Sequence, residues 1–398
     1  MTTRSAAGFL WGASTAAHQI EGNNLNSDWW QRELASAHLE HSGDAVDSYH
    51  RYREDMRLLA EAGLTAYRFS IEWSRIEPVE GHISRAELAH YRRVIEAARE
   101  FGLEPVVTVQ HFTVPRWFAE DGGWMDERAI GRFGRFVEAA AAILRDVRWI
   151  CTINEPNMLA MMITIAAAPP LQHGGAGPTV QRRRPRQLPD PDPAVGKRLA
   201  AAHDAARTIL KRHTDAAVGW TVAAGALTAT PGNEDKLREV RYIREDLYWD
   251  AARGDDFVGV QAYSSQAVDA NGVVPTPDSP DNTLSGAAYR PEALGTAVRH
   301  AWERTGGVPI LVTENGIATA DDERRIAYTD AALRGLFAAM ADGVDVRGYL
   351  HWTALDNFEW GHWEPTFGLI AVNRDTFERT PKPSLAWLGA VAQKGGLA

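Results

Sequence analysis

Val308-Pro-Ile-Leu-Val-Thr-Glu314-Asn-Gly316 is an apolar, β-branched run that ends in a carboxylate and a turn-forming Asn-Gly. It reads as a short strand buried on both faces, with a charge at the point where it emerges. Earlier in the chain Trp149-Ile-Cys-Thr-Ile-Asn-Glu155-Pro156 repeats the pattern. Either glutamate alone is most simply a strand-end charge facing water. Two in matched contexts suggest more, because in a barrel of parallel strands the C-terminal strand ends share one face, and that face carries the chemistry.

Working outward, the same alternation recurs. Apolar strands are predicted at residues 8–14, 65–71, 104–110, 217–222, 256–262 and 347–352, besides the two above. Helical spacing of apolar residues is predicted at 44–62, 84–101, 126–147, 197–213, 234–252, 291–305 and 322–341. Eight strand–helix units imply a single (β/α)8 barrel over residues 1–398, with the glutamates after strands four and seven. The stretches 166–195 and 266–288, rich in Pro, Gly, Asp and Asn, are expected to be long loops on the C-terminal face.

Composition narrows the function classes. The chain has 398 residues, 45% hydrophobic and 24% charged, and a formal net charge of −10. That charge speaks against a nucleic-acid or membrane-surface binder, which needs clustered Lys and Arg. The one basic run, Arg182-Arg183-Arg184, lies in a Pro-rich loop and reads as a solvated patch. The single cysteine, Cys151, has no internal disulfide partner and is expected to be buried and inert. No apolar run is long enough to span a bilayer and residues 1–7 carry no apolar leader, so a cytoplasmic protein is expected. Nothing in the sequence asks for a metal or cofactor, and oligomeric state is not legible. Fourteen Trp suggest either core aromatics or sugar-stacking planes. Paired carboxylates flanking one bond are what glycoside hydrolysis needs, one as proton donor and the other as nucleophile or base.

With these residues in view the chain resembles glycoside hydrolase family 1, the retaining β-glucosidases and related β-glycosidases. The matching segments are Phe9-Leu-Trp-Gly-Ala-Ser-Thr-Ala-Ala-His-Gln-Ile-Glu-Gly22, Tyr67-Arg-Phe-Ser-Ile-Glu-Trp-Ser-Arg-Ile-Glu-Pro78, His111, Asn154-Glu155-Pro156, Thr313-Glu-Asn-Gly316 and Asp356-Asn-Phe-Glu-Trp360, in family order. The resemblance implies Glu155 as acid/base and Glu314 as nucleophile, with carboxyl groups about 5–5.5 Å apart. It implies Asn154 on the sugar 2-hydroxyl, Gln19, His111, Glu359 and Trp360 on the other hydroxyls, and Trp352 beneath the ring. It implies Arg68 and Tyr263 as supports of the nucleophile, with Arg68 lowering the pKa of Glu314 and Glu314 raising that of Glu155. A β-glycoside is then the small-molecule partner.

The departures concern the leaving-group side. Asn157 stands where the family commonly has Trp, Gln261-Ala262-Tyr263 where Asn-Tyr-Tyr is usual, and His362-Trp-Glu-Pro-Thr-Phe-Gly368 is a shortened rim. An altered, more open aglycone side is expected, with small Ala262 and Ala287 beside it, unless Trp117, Trp124 or Trp363 supplies a platform. Retained Glu359 favours non-phosphorylated glucosides, with galactosides or fucosides tolerated. A transglycosylase on the same site and a non-catalytic sugar-binding barrel are the alternatives. Arg68 and Tyr263 favour catalysis, since a binder has no use for a stabilised nucleophile.

Overall fold

The computed structural model describes residues 5, 8–167 and 189–397, with the side chains of 166 and 167 excepted. Residues 1–4 and 6–7, the middle of the 166–195 loop and the basic run Arg182-Arg183-Arg184 lie outside the described residues. Eight strands form the barrel: β1 Leu10–Ser14, β2 Ala66–Ser70, β3 Glu104–Gln110, β4 Trp149–Asn154, β5 Ala217–Ala223, β6 Val258–Gln261, β7 Ile310–Glu314 and β8 Val346–Trp352. They pair in parallel in chain order, and β8 closes onto β1. Such strands are apolar on both faces because helices cover the outside while side chains fill the inside. Leu10, Ala66, Val106, Cys151, Phe257, Leu311 and Leu350 make the inner layer, so Cys151 is a buried core residue as expected.

Several elements differ from the sequence reading for local reasons. The helix predicted at 44–62 begins at Ser48, because Ala45 and Asp47 take φ of +47° and +54°. The helix predicted at 234–252 is broken into Glu234–Arg241 and Leu247–Ala251 by a π-turn at Tyr242–Asp246. A helix at Pro156–Ala167, with proline at its first position where a missing N–H costs nothing, follows β4 and was not read from the pattern. The 266–288 loop contains strands Ala267–Asp269 and Gly272–Val273, which join Thr228–Ala229 in a small sheet. Among the described residues no helix is long and apolar enough to cross a membrane.

After β8 the chain returns as an antiparallel pair, Ile370–Val372 with Arg379–Pro381, and a last helix, Pro383–Lys394. Arg379 ties this return to the helix Ser48–Ala62: its Nε donates to Asp55 at 2.8 Å with both side chains fully buried. It also donates to the Val46 carbonyl at 2.7 Å. Removing one partner of such a pair strands the other charge in the core. Arg379→Met is therefore expected to lower stability by about 3–5 kcal/mol in urea unfolding, and Asp55→Leu/Arg379→Met to recover much of it. A single variant within 1 kcal/mol of the parent would refute the assignment.

Candidate active site

The polar residues gather where the strands end. Both glutamates sit at irregularities of the barrel: the β4–β5 register shifts between Cys151 and Asn154, and the β6–β7 register between Val312 and Glu314. Such shifts re-aim side chains at barrel rims. Glu155 adds a φ of +42°, and its N–H donates to the Thr221 carbonyl at 2.8 Å. A glutamate pays a conformational penalty there that surrounding structure must hold in place.

After Glu314 the chain is held by side chains rather than by an open turn. Asn315 is fully buried; its Nδ2 donates to the Ala262 carbonyl at 2.7 Å, and its Oδ1 accepts from Tyr349 Oη at 2.9 Å. It thereby joins the ends of β6, β7 and β8. Gly316 is required by crowding rather than by backbone sign, since a Cβ there would lie 2.0 Å from the Trp352 carbonyl oxygen.

Glu314 is the best-supplied acceptor of the cluster. Arg68 Nη1 donates to its Oε1 at 2.6 Å, Gln261 Nε2 to the same oxygen at 2.8 Å, and Tyr263 Oη to Oε2 at 2.5 Å. Arg68 is fully buried and also donates to Asn154 Oδ1 and, through Nε, to Thr108 Oγ1 at 3.0 Å. Asn154 Oδ1 further accepts from Thr221 at 3.0 Å and Gln261 at 2.9 Å. These donors fix the amide, so Asn154 Nδ2 is the atom that faces His111 Nε2 at 3.2 Å.

That contact sets the tautomer of His111. Burial, with the Arg68 charge, holds the imidazole well below its ordinary pKa. It is neutral, accepts at Nε2 and carries its proton on Nδ1, which has no protein partner. Its ring stacks on Trp352 at 5.9 Å and on Trp360 at 6.0 Å. Trp352 Nε1 donates to Glu359 Oε1 at 3.3 Å, and Gln19 Nε2 donates to the Phe358 carbonyl at 2.7 Å, leaving Gln19 Oε1 unused by protein. Gln19, Arg68, His111, Asn154, Tyr263, Trp352, Glu359 and Trp360 therefore lie in one cluster with Glu314, and Glu155 is within electrostatic reach of it.

The two central carboxylates differ in supply. Burial raises Glu155 well above the ordinary range, the Glu314 charge raises it further, and Arg68 opposes both. Burial raises Glu314 too, against the pull of Arg68 and Tyr263. Arg68 lowers the pKa of Glu314 as expected, but burial outweighs that pull, because the site is drier than a sequence discloses. The order within the pair survives. Glu314 has three donors, so the shared proton resides on Glu155.

The Glycosyl hydrolase family 1 model matches residues 1–241 and 254–397. The chain belongs to glycosyl hydrolase family 1. It is 30% identical to thermostable beta-glucosidase B of Thermobispora bispora, covering 98% of this chain and 91% of that protein. The crystal structure of beta-glycosidase BGL167 superposes with TM-score 0.86 at 43% identity, covering 99% of this chain and 98% of that one. The beta-glycosidase from Pyrococcus horikoshii gives 0.88 at 30%, covering 100% and 97%.

Against that family background the departures acquire physical content. Asn157 does not leave a gap facing the sugar. It is buried, donates to the Ala223 and Arg244 carbonyls at 2.7 and 2.8 Å, and accepts from the Ala223 N–H at 3.2 Å. It thus satisfies a carbonyl inside the π-turn, a coupling no helical pattern announces. Ala262 is fully buried as well. Trp363 anchors the shortened rim by donating to the His41 carbonyl at 3.0 Å, and Trp117 donates to the Glu77 carbonyl at 2.8 Å between Arg132 and Arg135. Sequence reasoning noted Gln261 only as a departure and missed Thr221 and the buried His18–Glu33 pair behind Trp360. A polar residue at most strand ends, among them Ser14, Ser70, Gln110, Asn154 and Gln261, was the available signal. Asn157→Ala removes three hydrogen bonds to part-buried backbone groups, so a loss of about 2 kcal/mol in denaturant unfolding is expected. A loss under 0.5 kcal/mol would show that the π-turn does not depend on it.

Proposed function

We propose that the chain is a retaining, exo-acting β-glucosidase, with Glu314 as nucleophile and Glu155 as acid/base. The unequal supply of donors to two electrostatically linked carboxylates carries this reading. Ionised Glu314 attacks the anomeric carbon while protonated Glu155 gives its proton to the departing glycosidic oxygen. The glycosyl ester on Glu314 is neutral, so the repulsion that raised Glu155 falls away. Glu155, left as a carboxylate by its first proton transfer, then takes a proton from water, and the resulting hydroxyl displaces Glu314.

The surrounding groups fit a neutral glucoside. Asn154, Gln19 and His111 present amide and imidazole groups, and Trp352 an apolar plane. Burial raises Glu359 well above the ordinary carboxylate range, and Glu314 adds to that. A 6-phosphate beside these carboxyls would meet like charge, whereas hydroxyls of glucose can donate to Glu359 in either protonation state. The single unpaired cysteine supports a cytoplasmic setting, and one closed barrel supports a single-domain enzyme.

Glu314→Ala should abolish turnover of all β-glucosides. Glu155→Ala should lose about 10²–10⁴-fold on alkyl glucosides and far less on dinitrophenyl glucoside, which leaves without a proton. Equal losses on both substrates would refute the two roles. The pH profile gives a separate check. Tyr263→Phe removes a donor that favours ionised Glu314, so the acid limb of kcat/KM should move to higher pH while the basic limb, set by Glu155, stays. A shift of the acid limb to lower pH would reverse the assignment. Faster turnover of glucoside 6-phosphate than of the plain glucoside would overturn the substrate class.

A further inference from the structure

The geometry points to His18 as a positioning residue for Trp360 and, through that indole, as a determinant of which sugar hydroxyl the site discriminates; this rests on the glucosidase reading of the same cluster. His18 is buried in the short helix Ala17–Ile20, next to Gln19. Gln19 Nε2 meets the Phe358 carbonyl, and the His18 ring lies 5.7 Å from the Trp360 indole with only 8° between their planes. Two neighbouring side chains thus address one short segment after β8.

Fixed partners set the plane of the His18 ring. Its Nε2 donates to Glu33 Oε1 at 2.9 Å, and its Nδ1 accepts from Asn24 Nδ2 at 3.1 Å. The Asn24 amide is oriented in turn by Ser74 Oγ, which donates to Asn24 Oδ1 at 2.6 Å. Glu33, on the helix Asp28–Ala35, is anchored independently, since its Oε2 accepts from the Ser42 N–H and from Ser42 Oγ, each at 2.8 Å. Burial pushes Glu33 up, but the donors from His18 and Ser42 outweigh it and hold the carboxyl below its ordinary range. It therefore stays a strong acceptor for the imidazole.

Trp360 is a residue that needs such support. It is half-buried and holds a left-handed backbone, φ +48°, which a bulky side chain adopts only where its surroundings impose it. Trp29 at 4.9 Å and Phe112 at 5.0 Å meet the indole edge to face, contacts that leave its tilt loosely defined. The parallel rings are His18 and His111, and of these His18 alone is hydrogen-bonded to protein at both nitrogens. Among the described residues no acceptor meets Trp360 Nε1, which leaves that N–H for a ligand oxygen. A hydrogen bond weakens steeply with misalignment, so the tilt of the indole decides its strength.

The test measures kcat/KM for an aryl β-D-glucoside against its 3-, 4- and 6-deoxy analogues, so that each ratio reports one hydroxyl. Trp360→Phe, which lacks the indole N–H, should lower one of these ratios by about tenfold and so identify the hydroxyl. His18→Leu and Glu33→Met should each lower that same ratio severalfold, and should lower it no further when combined with Trp360→Phe, because the tie acts through the indole. Glu33→Gln keeps an acceptor for His18 Nε2 and should retain most of the parental ratio. Each ratio is internal to its variant, so a partial loss of folded protein cancels from it. Equal changes in all three ratios, no change in any, a Glu33→Gln variant as damaged as Glu33→Met, or a His18→Leu effect that persists beside Trp360→Phe would overturn this inference and leave the glucosidase reading standing. Absence of turnover of every β-glucoside by folded parent enzyme would overturn both.

Discussion

The structure depends on one buried ion pair that crosses the barrel, Arg68 on β2 with Glu314 at the end of β7. Neither side chain reaches bulk water, so each charge is tolerable only beside the other. Arg68 also meets Thr108 on β3 and Asn154 on β4, so its donors serve three strands besides its own. Closure of the barrel, which brings β7 opposite β2, therefore also assembles the site. A guanidinium suits this position because its rigid fork addresses several acceptors at once, which an ammonium does not.

From that pair the division of labour follows by differences in supply. Glu314, Glu155 and Glu359 are all carboxyls raised by desolvation, and proximity raises Glu155 and Glu359 further. Arg68, Tyr263 and Gln261 all serve Glu314, so the negative charge of the cluster is concentrated there. The site thus focuses its negative charge on one carboxylate beside two whose acidity is weakened. Neutral His111 and the indole planes of Trp352 and Trp360 extend that character without adding charge.

Outside this centre the chain differs most from family 1 habit, and it does so by exchanging surface for structure. Asn157 spends its amide on backbone groups of Ala223 and Arg244, so the π-turn at Tyr242–Asp246 and the helix after Glu155 are locked together. Gln261 reaches Glu314 from the end of β6 and adds a third donor. The rim after β8 is shortened and pinned by Trp363 to residues 40 and 41.

The sequence by itself determined the barrel and the identity of its central residues. Alternating apolar runs and helical stripes are local patterns, and residues such as Glu155, Glu314, Arg68 and Tyr263 stand in runs whose period and ending are readable without a fold. It did not disclose the helix Pro156–Ala167, whose apolar residues are too continuous to show a face, nor the return through Arg379 to Asp55, which joins segments far apart in the chain. Nor did it disclose that desolvation raises Glu314 despite Arg68, because dryness is a property of everything that surrounds a group and not of its neighbours in sequence. The same holds for Asn157: its residue type suggested a missing aromatic face, while its direction was decided by the Ala223 and Arg244 carbonyls that only the folded chain brings to it.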